Sequence, residues 1–329
     1  MKREEQKLSG EFLKDQWFEK VLVSMNEALF KEQGALLEDH GHIYPTLHIL
    51  GAPRSGTTLA SQLISSFLPV GYINNFIATY WKAPVYGIEL SKKLLGLEYV
   101  SNFKSSFGRT DAIREPHEFG YFWNYHLKYP GLQQQEKEHE KEIDWEDLSI
   151  ILNNICYRFD RPAVFKSFLL GFHAAKVCQV MPKTCFIYIK RNFLDNALSI
   201  LKLRKKLNGD VNTWGSIKPL QYERLKELDV YAQISGQILA LEYEYFNQLD
   251  KVPQKNKLFF RHEDICEDPA SFLGEIGELL NTHDTSFNPE ILNVQPFQKR
   301  IAEVSEGEKT KFLKAKDRVL QLFPEFENL

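Results

Sequence analysis

The stretch HILGAPRSGTTLASQL, residues 48–63, decides how this chain is read. Its first residues continue an apolar run, Leu47-His48-Ile49-Leu50, of the kind that forms a short buried strand. Beyond Thr58, the residues Leu59, Leu63, Ile64 and Phe67 recur at helical spacing. Gly51 to Thr58 therefore bridge a strand to a helix. A nucleoside-triphosphatase loop at such a place spells glycine, any four residues, glycine, lysine, then serine or threonine. Gly51 and Gly56 keep that glycine spacing, but Thr57 holds the lysine position and the cation stands earlier, at Arg54. Successive backbone N–H groups at such a turn form an anion nest, and the helix N-terminus adds partial positive charge. Ser55, Thr57 and Thr58 can add hydroxyl donors, Gly56 allows close approach, and Arg54 brings a fork suited to tetrahedral oxyanions. The alternative is a plain helix start with a glycine turn.

The centre of the chain repeats the alternation. PAVFKS (162–167) reads as a strand, HAAKVCQVM (173–181) as a helix, KTCFIYIK (183–190) as a strand and NFLDNALSILKLRKKL (192–207) as a helix. Strand, helix, strand, helix implies a parallel sheet with crossovers. A long helix is expected over 226–249, a strand over 257–265, a helix opened by Asp268-Pro269, and a last helix near 307–322. Residues 1–40 read as amphipathic helix with Phe12, Phe18, Val21, Leu22 and Leu29 as the buried stripe. Residues 69–110 read as irregular, and the polar segment 133–147 as an exposed excursion ending in a helix cap at Asp144 or Asp147. No internal repeat or low-complexity linker interrupts the chain. The expectation is one α/β domain over 1–329, a P-loop-like three-layer fold with a central parallel sheet flanked by helices. It carries an N-terminal helical extension (1–45) and substrate-facing and surface excursions (69–148).

Composition narrows the function classes. A net charge of −3 over 329 residues offers no electrostatic footprint for nucleic acid. The charged first twenty residues lack the apolar core of a signal peptide, and no apolar run reaches the ~18 residues of a membrane span. A cytoplasmic protein is expected. Cys156, Cys178, Cys185 and Cys266 show no metal-ligand cadence and read as buried free thiols; His40 and His42 read as surface residues. Oligomeric state is not readable.

A second constellation lies in IYIKRNFLDNALSILK (187–202). Arg191 ends an apolar strand, where parallel sheets present ligand groups, and Ser199 falls about two turns into the following helix. The two could grip one phosphate; alternatively Arg191 pairs with a carboxylate and Ser199 is an ordinary helix residue.

Together the two elements resemble the nucleotide-binding signatures of the sulfotransferase superfamily. Its enzymes use 3'-phosphoadenosine-5'-phosphosulfate (PAPS) and release adenosine 3',5'-bisphosphate. Pro53-Arg54-Ser55-Gly56-Thr57-Thr58-Leu59 resembles the 5'-phosphosulfate loop, and the Pro-Arg-Ser-Gly-Thr-Thr-Leu spelling resembles the bacterial branch. Arg191 to Ser199 resembles the 3'-phosphate element, with Phe193 replacing the usual proline, and RHEDICEDP (261–269) resembles a late strand end of the fold. The resemblance implies that Arg54, Ser55, Gly56, Thr57, Thr58, Arg191 and Ser199 bind the nucleotide and that no metal is needed. It implies transfer of the sulfuryl group to a hydroxyl, less readily an amine, of a small-molecule, lipid or glycoside acceptor.

Two departures bear on catalysis. Where cytosolic sulfotransferases carry Lys-Thr-His, this chain has Lys166-Ser167-Phe168, so that histidine base is absent. Their late glycine-rich signature over the nucleotide has no counterpart; Lys299 or Arg300 are the cations available. The segment GRTDAIREPHEFGYFWNYHL (108–127) is the place to look for a carboxylate base. Packed among aromatics, Glu115 or Glu118 would have a raised pKa suited to a hydroxyl proton. Glu115 is preferred and His117 is a weaker candidate; alternatively both carboxylates pair with Arg109 and Arg114. Lys166 is expected to add a second cation beside Arg54. The aromatic-rich residues 72–125 suggest an apolar-walled acceptor pocket. The rivals are a P-loop kinase or triphosphatase, and a non-catalytic nucleotide-binding protein of the same fold.

Overall fold

A computed structural model describes residues 15–97, 99–284, 287, 294–299 and 305–328. Five strands form one sheet: β1 (Thr46–Leu50), β2 (Gly71–Tyr72), β3 (Ala163–Lys166), β4 (Cys185–Lys190) and β5 (Lys257–Arg261). Every pairing is parallel and the order is β2-β3-β1-β4-β5, with Ile49 opposite Lys166 and Leu50 opposite Tyr188. Each crossover carries a helix, as a parallel sheet requires.

Period-two alternation splits each central strand between two layers. Leu47, Ile49, Val164, Ile187 and Ile189 join the core of one face, against the helices Thr57–Phe67 and Pro269–Asn281. Leu50, Phe165, Phe186 and Tyr188 join the core of the other, against Trp145–Phe159 and Val230–Leu249. β1 is buried along its whole length, whereas β5 leaves Phe259 44% exposed, as befits the sheet edge. The outcome is the α/β arrangement expected, a parallel sheet covered by helices on both faces.

Several local expectations need correction. The excursion is not irregular throughout: Pro84–Leu95 is a three-turn helix, with Pro84 in its first turn, Gly96 at its end, and Val85 and Ile88 buried. Gly120–His126 is also helical, and its Phe122 and Trp123 are core residues, as is the preceding Phe119. Asp144 rather than Asp147 caps Trp145–Phe159, accepting from Asp147 N at 3.0 Å. The long helix begins only at Val230, capped by Asp229, after a separate turn Tyr222–Leu225. β5 stops at Arg261, and His262–Glu267 is already helical.

The N-terminal helix, Gln16–Gln33, exposes Phe18 and Val21; Phe12 lies outside the described residues. The helix is docked partly by amides instead of a greasy stripe. Asn26 donates to Thr79 O and accepts from Lys82 N, and Gln33 donates to Lys82 O and accepts from Val85 N. Those bonds rotate Leu22 and Leu29 toward the body and Phe18 and Val21 away from it. The four cysteines are free thiols; His40 stacks on Tyr157, and His42 Nδ1 lies 3.2 Å from Asn153 Oδ1.

Candidate active site

The strand order reverses between β1 and β4, because β2 and β3 are laid down on one side of β1 and the chain then crosses to place β4 and β5 on the other. Ligands of open α/β sheets bind in the crevice above the strand ends at such a switch point. Residues 51–56 follow β1 there, Arg191 follows β4, Lys166 ends β3 and His262 follows β5. A cleft of about 620 Å³ opens at this place. Among the described residues, four cations, Arg54, Arg109, Lys166 and Arg191, line it against one carboxylate, Glu118. In a chain of net charge −3, that local excess of positive charge marks a site for an anion.

The loop has the backbone its sequence requires. Gly56, at φ +106°, caps Thr57–Phe67, and a Cβ there would lie 2.2 Å from His262 Nδ1. Only glycine combines that conformation with that approach. Arg54 itself takes φ +69°, and Ser55 N bonds back to Ala52 O at 3.1 Å. The Ser55 hydroxyl is buried with no partner among the described residues, a donor waiting in the nest.

The two motifs, far apart in sequence, meet directly. Arg54 Nε donates to Ser199 Oγ at 3.1 Å, and Arg191 Nη1 donates to the Arg54 carbonyl at 3.0 Å. Asn192 caps the helix Phe193–Asn208 by accepting from Leu194 N and Asp195 N, and its own N–H donates to Glu263 at 2.9 Å. Phe193 thus stands at the first helical position without disturbing the turn that aims Arg191.

The carboxylates separate sharply. Glu115 is 1% exposed and does not line the cleft. Its oxygens accept from Gln62 Nε2 at 2.8 Å, Ser101 Oγ at 2.9 Å and Asn102 N at 2.9 Å, pinning the 101–104 segment to the helix Thr57–Phe67. Glu118 faces the cleft, and its side chain remains 44% exposed. Lys166 Nζ lies 2.5 Å from Glu118 Oε1 and donates to Thr58 Oγ1 at 2.8 Å. So Glu118 pairs with Lys166. His117 does not line the cleft; its Nδ1 accepts from Phe119 N at 2.9 Å.

The electrostatics also differ from expectation. Desolvation inside the enclosed cleft would by itself raise the half-exposed Glu118 carboxyl, but the Lys166 ammonium, helped by His117 and Arg54, overrides it and holds the group below its ordinary value. Burial lowers Lys166, Glu118 opposes that, and Arg54 adds to the lowering. Aromatic packing does not govern this carboxylate, because Phe119, Phe122 and Trp123 point into the core instead.

Several lining residues carry no sequence motif. His262 packs under Gly56; in the sequence it stood inside the expected strand 257–265 and the string RHEDICEDP, with no sign that it would face the glycine loop. Phe103 and Phe297, with ring centroids 5.0 Å apart, flank the cleft on the side of Leu59 and Gln62. Gly108 brings its carbonyl within 3.4 Å of both Thr58 Oγ1 and Lys166 Nζ. A smaller recess of about 130 Å³ shares Arg191 and His262 with the cleft and includes Arg261 and Lys299. Lys299 pairs there with Glu267 at 2.7 Å, while Arg300 lies outside the described residues. This geometry can bind a polyanion, oppose charge that develops on it, and hold a carboxylate beside it.

The profile of the Sulfotransferase family matches residues 45–286. No curated protein matches the chain significantly in sequence. Among solved structures, the fold is similar to that of a sulfotransferase from Mycobacterium avium, with a TM-score of 0.51. That match is 13% identical in sequence and covers 94% of this chain and 78% of the other. A sulfotransferase from Mycobacterium tuberculosis H37Rv matches with a TM-score of 0.50 at 11% identity, over 99% of this chain and 88% of the other.

Proposed function

The chain belongs to the sulfotransferase family, and from that premise we propose that it moves a sulfuryl group from PAPS to an acceptor hydroxyl, with Glu118 as the base. One observation carries the reading: the cation of the loop, Arg54, is joined to both Ser199 and Arg191, so the two phosphate-binding elements form one anion site beside Glu118 and Lys166. The residues fit such a donor. The cleft has a surplus of cations, a helix N-terminus and the Ser55 hydroxyl, which has no partner among the described residues. A triphosphatase would instead place a cation after Gly56, where Thr57 stands buried.

The donor supplies an activated sulfonate on a phosphate leaving group. Arg54, Thr57 and the loop amides hold the 5'-phosphate and stabilise the negative charge that grows on it as the sulfur–oxygen bond breaks. Arg191 and Ser199 hold the 3'-phosphate. Lys166, bonded to both Glu118 and Thr58, stands where its charge can pass from the carboxylate to the sulfonate. Once that charge is shared, Glu118 is a stronger base and takes the acceptor's hydroxyl proton. The acceptor oxygen forms the new bond to sulfur, and the electron pair of the broken bond leaves on the phosphate of adenosine 3',5'-bisphosphate. In-line transfer of this kind needs positioning and charge more than covalent chemistry by the protein.

The test is two measurements on the purified protein. Adenosine 3',5'-bisphosphate should raise the melting temperature, and label from [35S]PAPS should pass to a hydroxyl acceptor in wild type but not in Glu118→Gln. Stabilisation by ATP-Mg alone, or full transfer by Glu118→Gln, refutes the reading.

A further inference from the structure

We propose that the acceptor is an apolar alcohol, a hydroxyl on a hydrocarbon body, seated at the end of the cleft walled by Phe107, Phe168, Leu203, Leu207 and Ile217. This rests on the donor reading above. The cleft is chemically two-ended. Toward β4 and β5 it offers Arg191 and His262. Phe107 and Phe168 mark the other boundary of the charged centre. The Arg54 guanidinium carbon lies 5.5 Å from the Phe107 ring centroid, and Lys166 Nζ lies 5.7 Å from that of Phe168. The lining also includes Leu203, Leu207, Ile217 and Leu132, with Ser216 as the hydroxyl beside Ile217. Phe168 and Ile217 pack on one core, and Leu207 approaches Gly215 in the loop that carries Ile217. A sugar would bring several hydroxyls into this wall and find few partners for them, whereas a hydrocarbon loses only water.

The wall is built and braced, which distinguishes it from a chance apolar surface. Arg204, next to Leu203, is fully buried; its guanidinium carbon sits 4.6 Å from the Trp214 ring centroid, and it donates to Gln233 at 2.7 Å. Gln237 donates to the Gly215 carbonyl at 2.9 Å and to the Ile217 carbonyl at 2.7 Å. Lys218 N bonds Leu132 O at 2.8 Å, and Gln134 N bonds Lys218 O at 2.8 Å, so Leu132 is tied to the same loop. A helix, Val230–Leu249, thus holds the loop that presents Ser216 and Ile217, and the apolar end is preformed. Of the aromatic-rich residues 72–125, the sequence's own suggestion for an acceptor wall, Phe103 and Phe107 line the cleft while Phe119, Phe122 and Trp123 lie in the core; the rest of this wall comes from the 168, 203–207 and 216–217 positions.

The experiment is calorimetric titration of the full chain, with and without saturating adenosine 3',5'-bisphosphate, using 1-decanol, 2-naphthol and methyl β-glucoside as probes. Binding of the bisphosphate is read first and reports on the donor site independently. At least one alcohol should bind in either state while the glucoside does not; the decanol and naphthol arms tell an aliphatic from an aromatic body. Leu207→Asn should weaken the alcohol on the order of tenfold and leave bisphosphate affinity and melting temperature unchanged. Phe168→Asn serves as a second variant with the same expected loss. The proposal is overturned if neither alcohol binds, if the glucoside binds as tightly, or if both variants keep alcohol affinity within about twofold of wild type.

Discussion

Replacing Arg54 by alanine isolates what the displaced cation of the loop does. The side chain donates to Ser199 Oγ at 3.1 Å, but the bond from Arg191 reaches the Arg54 backbone carbonyl, so the variant retains that tether. What disappears is a charge-assisted contact to the 5'-phosphate, worth about 1.5–3 kcal/mol. That converts to a loss of roughly 10- to 150-fold in affinity for adenosine 3',5'-bisphosphate. Arg54→Gly is the control, since residue 54 sits at φ +69°, where glycine carries no Cβ penalty. A loss shared by both variants is therefore a loss of the guanidinium, not of loop shape. Isothermal titration at two ionic strengths is the assay, and the wild-type advantage should shrink at the higher one. If both variants bind within about twofold of wild type, Arg54 is not a phosphate ligand and the reasoning from the sequence motif fails.

Removing Lys166 should shift the acid limb of kcat/KM. Lys166 is the principal charge holding Glu118 below its ordinary value against desolvation in the cleft, so in Lys166→Met the limb moves to higher pH, besides a lower rate; an unmoved limb would mean that another group is the base. Gly56→Ala should lose stability and nucleotide affinity together, by about 1–3 kcal/mol of backbone strain plus the clash with the His262 ring. Adding His262→Ala relieves only the clash, so partial recovery in melting temperature is the expected signature. Glu115→Ala strands the donors of Gln62, Ser101 and Asn102 and should cost on the order of 3 kcal/mol in denaturant unfolding. The folded fraction should turn over normally; a dead enzyme of unchanged stability would instead return Glu115 to the catalytic role.

Nucleotide-site candidates were legible in the sequence because each lies within one local element. A glycine loop between strand and helix, or an arginine and serine on one strand-to-helix junction, is a short-range pattern, and its geometry follows from turn chemistry and helical pitch. The α/β alternation was legible for the same reason: β1, β3 and β4 announce themselves as apolar runs with a helix after each. Helices whose signals are weak were not. Gly120–His126 is a short helix fixed by packing of Phe122 and Trp123, which no periodicity within so aromatic a segment distinguishes from loop. Pro84–Leu95, by contrast, carries its own start and stop residues, Pro84 and Gly96, inside a stretch whose surrounding aromatics and glycines read as irregular.

Tertiary structure alone decided which groups share the cleft. Glu115 and Glu118 stand three positions apart in one loop with the same neighbours in sequence. One is closed off by three donors from two other segments, and the other is drawn out by Lys166 from the end of β3. A carboxylate's environment is set by desolvation and by the nearest charge, both of which here come from residues more than ten positions away. The same holds for the proposed apolar end, assembled from Phe107, Phe168 and Leu203 on three different connections. Local sequence specifies which candidate anion-binding elements exist; only the folded sheet, by bringing its strand ends to one crevice, determines what stands opposite them.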